Sequence, residues 1–165
     1  MKEIKVQDFN ENVFNMIGND WLLITAEKDG KVNTMTASWG GAGVLWNKKV
    51  AYIFIRPQRY TKEFVDGSAK LSLSVLPEKY RKELTYLGRV SGRDEDKIQK
   101  AGLTIEHYEG VPGFKESRIT FVCRKLYGQY LEEGCFIDKD LMENCYPQKD
   151  YHMMYVVEIE KIISM

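Results

Sequence analysis

Strand-like runs follow one another in this chain too closely to leave room for a helix between most of them. Trp21 to Ala26 is apolar and runs into Lys28-Asp29-Gly30-Lys31, where Asp-Gly is a strong hairpin signal. Val32 to Trp39 reads as the returning strand, closed by Gly40-Gly41, and Val50 to Ile55 is a short, partly β-branched run. Leu71 to Leu76 (Leu-Ser-Leu-Ser-Val-Leu) alternates with period two, which predicts an apolar core face and a polar face. Strands resume at Thr104–Tyr108, Ile119–Leu126 and Met153–Ile163. A doubly wound parallel sheet would interleave helices with these runs. The expected class is therefore mainly β: an antiparallel β barrel with helical inserts.

The inserts are few. Phe9, Val13, Phe14 and Ile17 fall near one face of an opening amphipathic helix that Gly18 terminates. Thr61 caps a turn or two ending at Gly67, and Pro77 begins a helix over Glu78–Leu87 with Gly88 just past its end. A third runs from about Asp94 to Ala101, stopped by Gly102, and Gly110-Pro112-Gly113 reads as a turn. Tyr127 to Tyr151 is polar and weakly patterned, a surface excursion without an assigned role. Residues 1–165 read as a single domain, since 165 residues suffice for one core without staples.

Charge and composition narrow the function classes. Twenty-four Lys+Arg balance 24 Asp+Glu, which removes the usual electrostatic argument for nucleic acid or an anionic membrane as partner. No run approaches the roughly 18 apolar residues of a membrane span, and the first residues lack the apolar stretch of a signal peptide. Three cysteines without CxxC spacing suggest neither a disulfide framework nor a zinc site; Cys123 reads as a small core residue. Two histidines make a His-based metal centre improbable, so no metal is expected, and a reducing cytoplasm is the expected compartment. No G-x-G-x-x-G follows a strand to open a helix, so a Rossmann dinucleotide site is unsupported.

Three segments concentrate unusual residues. In Asn33-Thr34-Met35-Thr36-Ala37-Ser38-Trp39-Gly40-Gly41 both strand faces offer short polar groups, and glycines at the end let backbone amides approach a ligand. A Thr-rich edge strand is the plainer reading. Arg56-Pro57-Gln58-Arg59-Tyr60-Thr61 places two guanidinium groups and a hydroxyl beside the free amides of a first helical turn, either a phosphate receiver or a solvated arginine pair around a turn. Gly88 to Lys97, with Ser91, Gly92, Arg93, Asp94 and Asp96, reads by itself as a surface ion-pair cluster.

Taken in order, these segments resemble the flavin reductase-like family with the FMN-binding split barrel, in particular its flavoredoxin-like branch. A fourth piece, Asp150-Tyr151-His152 followed by Tyr155-Val156-Val157-Glu158-Ile159, is similar to the family's late His-bearing strand, although Val157 stands where relatives often carry glycine. The resemblance spans roughly residues 15 to 163. It implies a homodimeric split barrel with FMN at the subunit interface. Asn33 and Trp39 would flank the flavin, and Thr36, Ala37 and Ser38 would line its ring. Arg56, Arg59, Tyr60, Thr61, Ser91 and Lys97 would surround the phosphate and ribityl chain. His152 would lie near the ring as an auxiliary donor or a structural residue, and no amino-acid nucleophile is expected. The implied activity is NAD(P)H-dependent flavin reduction, with NAD(P)H as donor; a flavoredoxin-like electron carrier without a nicotinamide substrate is the alternative. A barrel-like module holding no flavin is a third.

Overall fold

The computed structural model describes residues 2–164. Its strands are β1 (Lys2–Ile4), β2 (Leu22–Lys28), β3 (Lys31–Ala37), β4 (Gly40–Leu45), β5 (Lys48–Ile55), β6 (Lys70–Val75), β7 (Ile105–Tyr108), β8 (Val111–Phe114), β9 (Ile119–Tyr130) and β10 (Met153–Ser164). The helices are α1 (Val13–Asn15), α2 (Tyr60–Gly67), α3 (Arg81–Arg89), α4 (Lys97–Lys100) and α5 (Lys139–Cys145).

The main sheet runs β3-β2-β6-β9-β10-β5-β4, with β1 also on β10, and every pairing is antiparallel. Its two outer strands, β3 and β4, are consecutive in the chain. Ala37 and Gly40 are three residues apart and so lie within about 11 Å of each other. The sheet must therefore curl until its edges nearly meet: a barrel that is not laced shut between β3 and β4. The antiparallel barrel-like architecture expected from the sequence is the one observed.

Three two-residue hairpin loops keep the strands short of helical inserts. Asp29-Gly30, Trp46-Asn47 and Glu109-Gly110 all have positive φ at both positions, the left-handed pair whose twist matches the flanking strands. The first is the predicted one. The other two revise the reading of the sequence: Gly40-Gly41 opens β4 instead of closing a strand, and the turn at Glu109-Gly110 leaves Pro112 and Gly113 inside β8.

Leu23 and Ile24 show how β2 serves two layers. Adjacent strand residues point to opposite faces. Ile24 enters the barrel core with Ile53, Ile55, Leu71, Leu73, Phe121 and Val157. Leu23 faces an outer layer with Leu76, Leu84, Leu87, Ile98 and Phe114. Burial on both faces is why Leu22, Leu23 and Ile24 are apolar in succession. The same outer layer buries the expected polar face of β6. Ser72 and Ser74 are fully buried, Ser72 Oγ donating to Pro112 O at 2.5 Å and Ser74 Oγ meeting Thr120 Oγ1 at 3.2 Å. Val157, also buried in the core, adjoins a register shift between β9 and β10, so the bend is made without glycine.

The helices differ in detail from the sequence reading. Residues 16–20 form a π turn that carries Gly18 inside it and ends at Trp21, so Phe14 is turned outward at 89% exposure while Phe9 reaches Phe121 from a non-helical segment. Helix α3 runs through Gly88 to Arg89 after a 3-10 turn at Glu78–Tyr80, and α4 starts only at Lys97, capped by Asp96 through Gln99 N at 3.0 Å. Strand β9 continues to Tyr130, which shortens the excursion to residues 131–152 and gives it a helix, α5.

Candidate functional site

The gap between β3 and β4 is where the candidate residues gather. The end of β3 and the following link supply Met35, Thr36, Ala37, Ser38 and Trp39 to a cavity of about 260 Å³, completed by Phe54, Arg56, Arg59, Gly88 and His152. Thr36 Oγ1 donates to Leu84 O at 2.5 Å, which ties β3 to α3. Gly88 sits where a Cβ would come within 3.3 Å of Thr36, so the helix can lie this close to the strand. Trp39, 50% exposed, stands at the mouth, 5.3 Å from the His152 ring centroid.

Arg59 connects this cavity to a second one of about 180 Å³, lined by Gln58, Arg59, Tyr60, Thr61, Arg89, Val90, Ser91 and Lys97. Three cations and no carboxylate line it. Arg59 Nη1 donates to Gly88 O at 2.7 Å, which fixes the guanidinium between the two spaces. Lys97 is only 3% exposed, and its Nζ donates to Leu87 O and Val90 O, each at 2.9 Å. Burial first, and then the Arg59 charge, pull its pKa down to about 8. Lys97 is therefore not part of a solvated surface cluster, the reading the sequence favoured for its segment taken alone. Ser91 Oγ, on the same wall, accepts from Arg93 N at 3.2 Å.

Arg56 is elsewhere. It lines the first cavity, not the second, and is committed to the excursion: Nη1 meets Asp150 Oδ2 at 2.6 Å, Nη2 donates to Cys145 O at 2.9 Å, and the guanidinium lies over the Tyr146 ring. Thr61 is not the helix cap, since Arg59 occupies that position. Its buried hydroxyl accepts from Asn33 Nδ2 at 3.0 Å, so Asn33 and Thr61 bind each other across β3 and α2. Asn33 is pinned again by Gly92, where a Cβ would stand 2.3 Å from Asn33 Oδ1. Tyr60 packs edge-on to Phe64 and under Arg93.

His152 is buried beneath the excursion, and its Nδ1 lies 2.7 Å from Tyr146 Oη. Burial and the Arg56 charge push its pKa down to about 4, against a smaller opposing pull from Asp150, so the imidazole is neutral at pH 7. The sequence reading gave no role to Phe54, Arg89, Tyr146 or Asp150. Arg89 and Asp150 lie inside quoted motifs and Phe54 adjoins one, whereas Tyr146 lies in a stretch with no periodicity to mark it.

The structure thus brings Thr36, Ala37, Ser38, Trp39, Arg56, Arg59 and His152 to one cavity, and Arg59, Tyr60, Thr61, Ser91 and Lys97 to its neighbour, with Asn33 behind the second. No group of three potential metal ligands occurs among the described residues, and no helix among them is long and apolar enough to cross a membrane.

Residues 16–162 match the family model described as Flavin reductase like domain. Comparison with curated protein sequences gave no match. Among solved structures, the flavoredoxin of Methanosarcina acetivorans aligns with a TM-score of 0.69 and 24% identity over 100% of this chain and 76% of its own. An FMN-binding domain of a flavin reductases-like enzyme from Shewanella baltica aligns with a TM-score of 0.70 and 16% identity, over 98% and 75%. The styrene monooxygenase flavin reductase of Pseudomonas putida gives 0.65 and 12%, over 88% and 79%. The shared fold is the split barrel.

Proposed function

This chain belongs to the flavin reductase-like family, and from that premise we propose that it binds FMN and acts as an oxidoreductase, accepting electrons from NAD(P)H. One observation carries the reading: Arg59 lines both a partly aromatic cavity and a carboxylate-free cationic one. A ligand with a flat head and a dianionic tail fits that pair of spaces. Lys97, Arg89 and Arg59 would hold the phosphate, with the first-turn amides of α2 and Ser91 nearby. Ala37, Ser38 and Trp39 would line the ring, with His152 beside Trp39 and Phe54 beside His152. Asn33 and Thr61, locked together, hold β3 and α2 in register behind the tail. Bound FMN supplies the acceptance and onward transfer of electrons; the chain's own part is to orient it and shield it.

The nicotinamide would approach along a wider surface groove of about 680 Å³ that shares Ser38 and Trp39 with the ring cavity and follows Gly40, Gly41 and Ala42. Outer strand β4 and the turn after it leave Val44 and Trp46 exposed, which fits a homodimer closing over this edge. A second reading, electron exchange with a protein partner, is favoured by the excursion. Phe136, Tyr146 and Tyr151 form an aromatic cluster beside His152, a surface on which such a partner would dock.

One experiment tests all of this. Protein loaded with FMN is mixed anaerobically with NADH or NADPH while the flavin absorbance is followed. Bleaching supports the reductase reading. Bleaching by a reduced ferredoxin-type donor alone selects the second. Failure to take up FMN at all overturns both.

A further inference from the structure

We infer that Tyr146 is a positioning residue: its hydroxyl, donated to His152 Nδ1, leaves the imidazole Nε2–H as a neutral hydrogen-bond donor to a carbonyl oxygen of whatever occupies the first cavity. The geometric half stands on the cavity alone, and the carbonyl half rests on the flavin reading above.

Both partners of the 2.7 Å contact are held in the forms that this requires. Burial raises the Tyr146 phenol pKa, against the opposing Arg56 charge, so the group keeps its proton. Burial and Arg56 lower the His152 pKa, so the ring carries one proton. Two arrangements fit a phenol and a neutral imidazole at this distance. Buried Tyr146 Oη has no second partner among the described residues, so only O–H donation to Nδ1 gives the phenol proton an acceptor, which puts the ring's proton on Nε2. Nε2 has no protein partner among the described residues, whereas His152 lines the first cavity. The charged groups facing this ring are Arg56 and Asp150, and they are paired with each other at 2.6 Å. What the ring presents is therefore a dipole instead of a charge. A neutral N–H matches a carbonyl oxygen, found both on the flavin ring and on the nicotinamide carboxamide.

Tyr146 is itself anchored independently of His152. Its ring lies under the Arg56 guanidinium and against Phe136 and Tyr151, so the hydroxyl is aimed by the excursion. That gives residues 131–152 a task, which is to set the hydrogen-bonding face of the cavity wall.

The test begins with the protein as purified. Two histidines make long-range nitrogen-15 spectra simple, and His107→Gln assigns them. The expected pattern for His152 is a protonated Nε2 and an unprotonated Nδ1, becoming a mixture of tautomers in Tyr146→Phe. A protonated Nδ1 in the parent protein, or an unchanged pattern in Tyr146→Phe, overturns the inference whether or not flavin binds. The second arm uses loaded protein. Tyr146→Phe is expected to lower riboflavin affinity, or to raise KM for the nicotinamide with kcat held, by roughly threefold to tenfold. The first result puts the carbonyl on the flavin and the second puts it on the reductant. In a His152→Gln background the same change is expected to do nothing further. No shift in either constant, or an equal effect in that background, would refute the carbonyl role while leaving the tautomer result and the FMN reading to their own tests.

Discussion

Lys97 and His152 mark the two adjoining cavities, and burial acts on both in the same direction with opposite consequences. In each, burial first and a neighbouring arginine second lower the proton affinity. Lys97 starts at 10.5 and falls to about 8, so at pH 7 it is still a cation. His152 starts at 6.5 and falls to about 4, so at pH 7 it is neutral. Shifts in the same direction thus leave a charged end and an uncharged end, and the choice of residue decides which. A ligand with an anionic tail and a neutral polar ring is what such a pair discriminates.

The largest expected effect would break that division if it failed. Lys97→Met is expected to weaken FMN by roughly tenfold to a hundredfold, the range for one charge-assisted hydrogen bond, and to leave riboflavin, which lacks the phosphate, unchanged. Titration by flavin fluorescence quenching reads both constants. Equal losses for the two ligands would mean that Lys97 serves the fold and not the tail. Raising pH is the same test without a mutation. Above about pH 8 the unliganded Lys97 gives up its proton, so FMN affinity should begin to fall while riboflavin affinity stays level.

Next comes the contact behind the cationic cavity. Thr61→Val removes the acceptor of Asn33 Nδ2, buried at 3.0 Å from the hydroxyl. The expected loss is about 1–3 kcal/mol of folding stability, read from urea midpoints, because a buried donor is left unpaired. FMN and riboflavin should weaken alike and little. A selective FMN loss with unchanged stability would instead put the hydroxyl on the ligand.

Arg56 sharpens the comparison from the other end. It spends its guanidinium on Asp150 and on Cys145 O. Arg56→Ala is expected to speed amide exchange across residues 131–152 and to weaken FMN and riboflavin equally, by a few fold. An effect on FMN alone would return Arg56 to the tail.

What the sequence made legible follows the range of the interactions involved. The Asp29-Gly30 hairpin and the β strands come from local signals, and local signals suffice for the class of fold. Trp46-Asn47 was invisible because its left-handed turn carries no glycine, and that hid β4. The burial of Ser72 and Ser74 on the polar face was not legible, because nothing in their own strand announces their partners, Pro112 of β8 and Thr120 of β9. In the site, clustering of Arg59, Thr61 and Lys97 was legible by resemblance. Which arginine is already paired was not, since Asp150 lies 94 residues from Arg56. Tyr146 was missed for the same reason: its role exists only through a fold-level contact with His152.

The smallest expected effect concerns stability without ligand, and its sign distinguishes the two buried groups. For His152 the folded pKa, about 4, lies below the unfolded 6.5. Between those values the unfolded chain binds a proton that the folded chain refuses, so stability declines as pH falls from about 6.5 toward 4. For Lys97 the unfolded chain keeps its proton up to 10.5 while the folded one releases it near 8. Stability from this group therefore rises as pH climbs between them. Urea midpoints of the parent, His152→Gln and Lys97→Met, taken as differences from the parent at each pH, cancel the carboxylates common to all three. The His152 difference should vary only on the acid side and the Lys97 difference only on the alkaline side. A His152 difference that is flat below pH 6.5 would mean that the ring reaches water in the folded state, and the neutral end of the site would be lost with it.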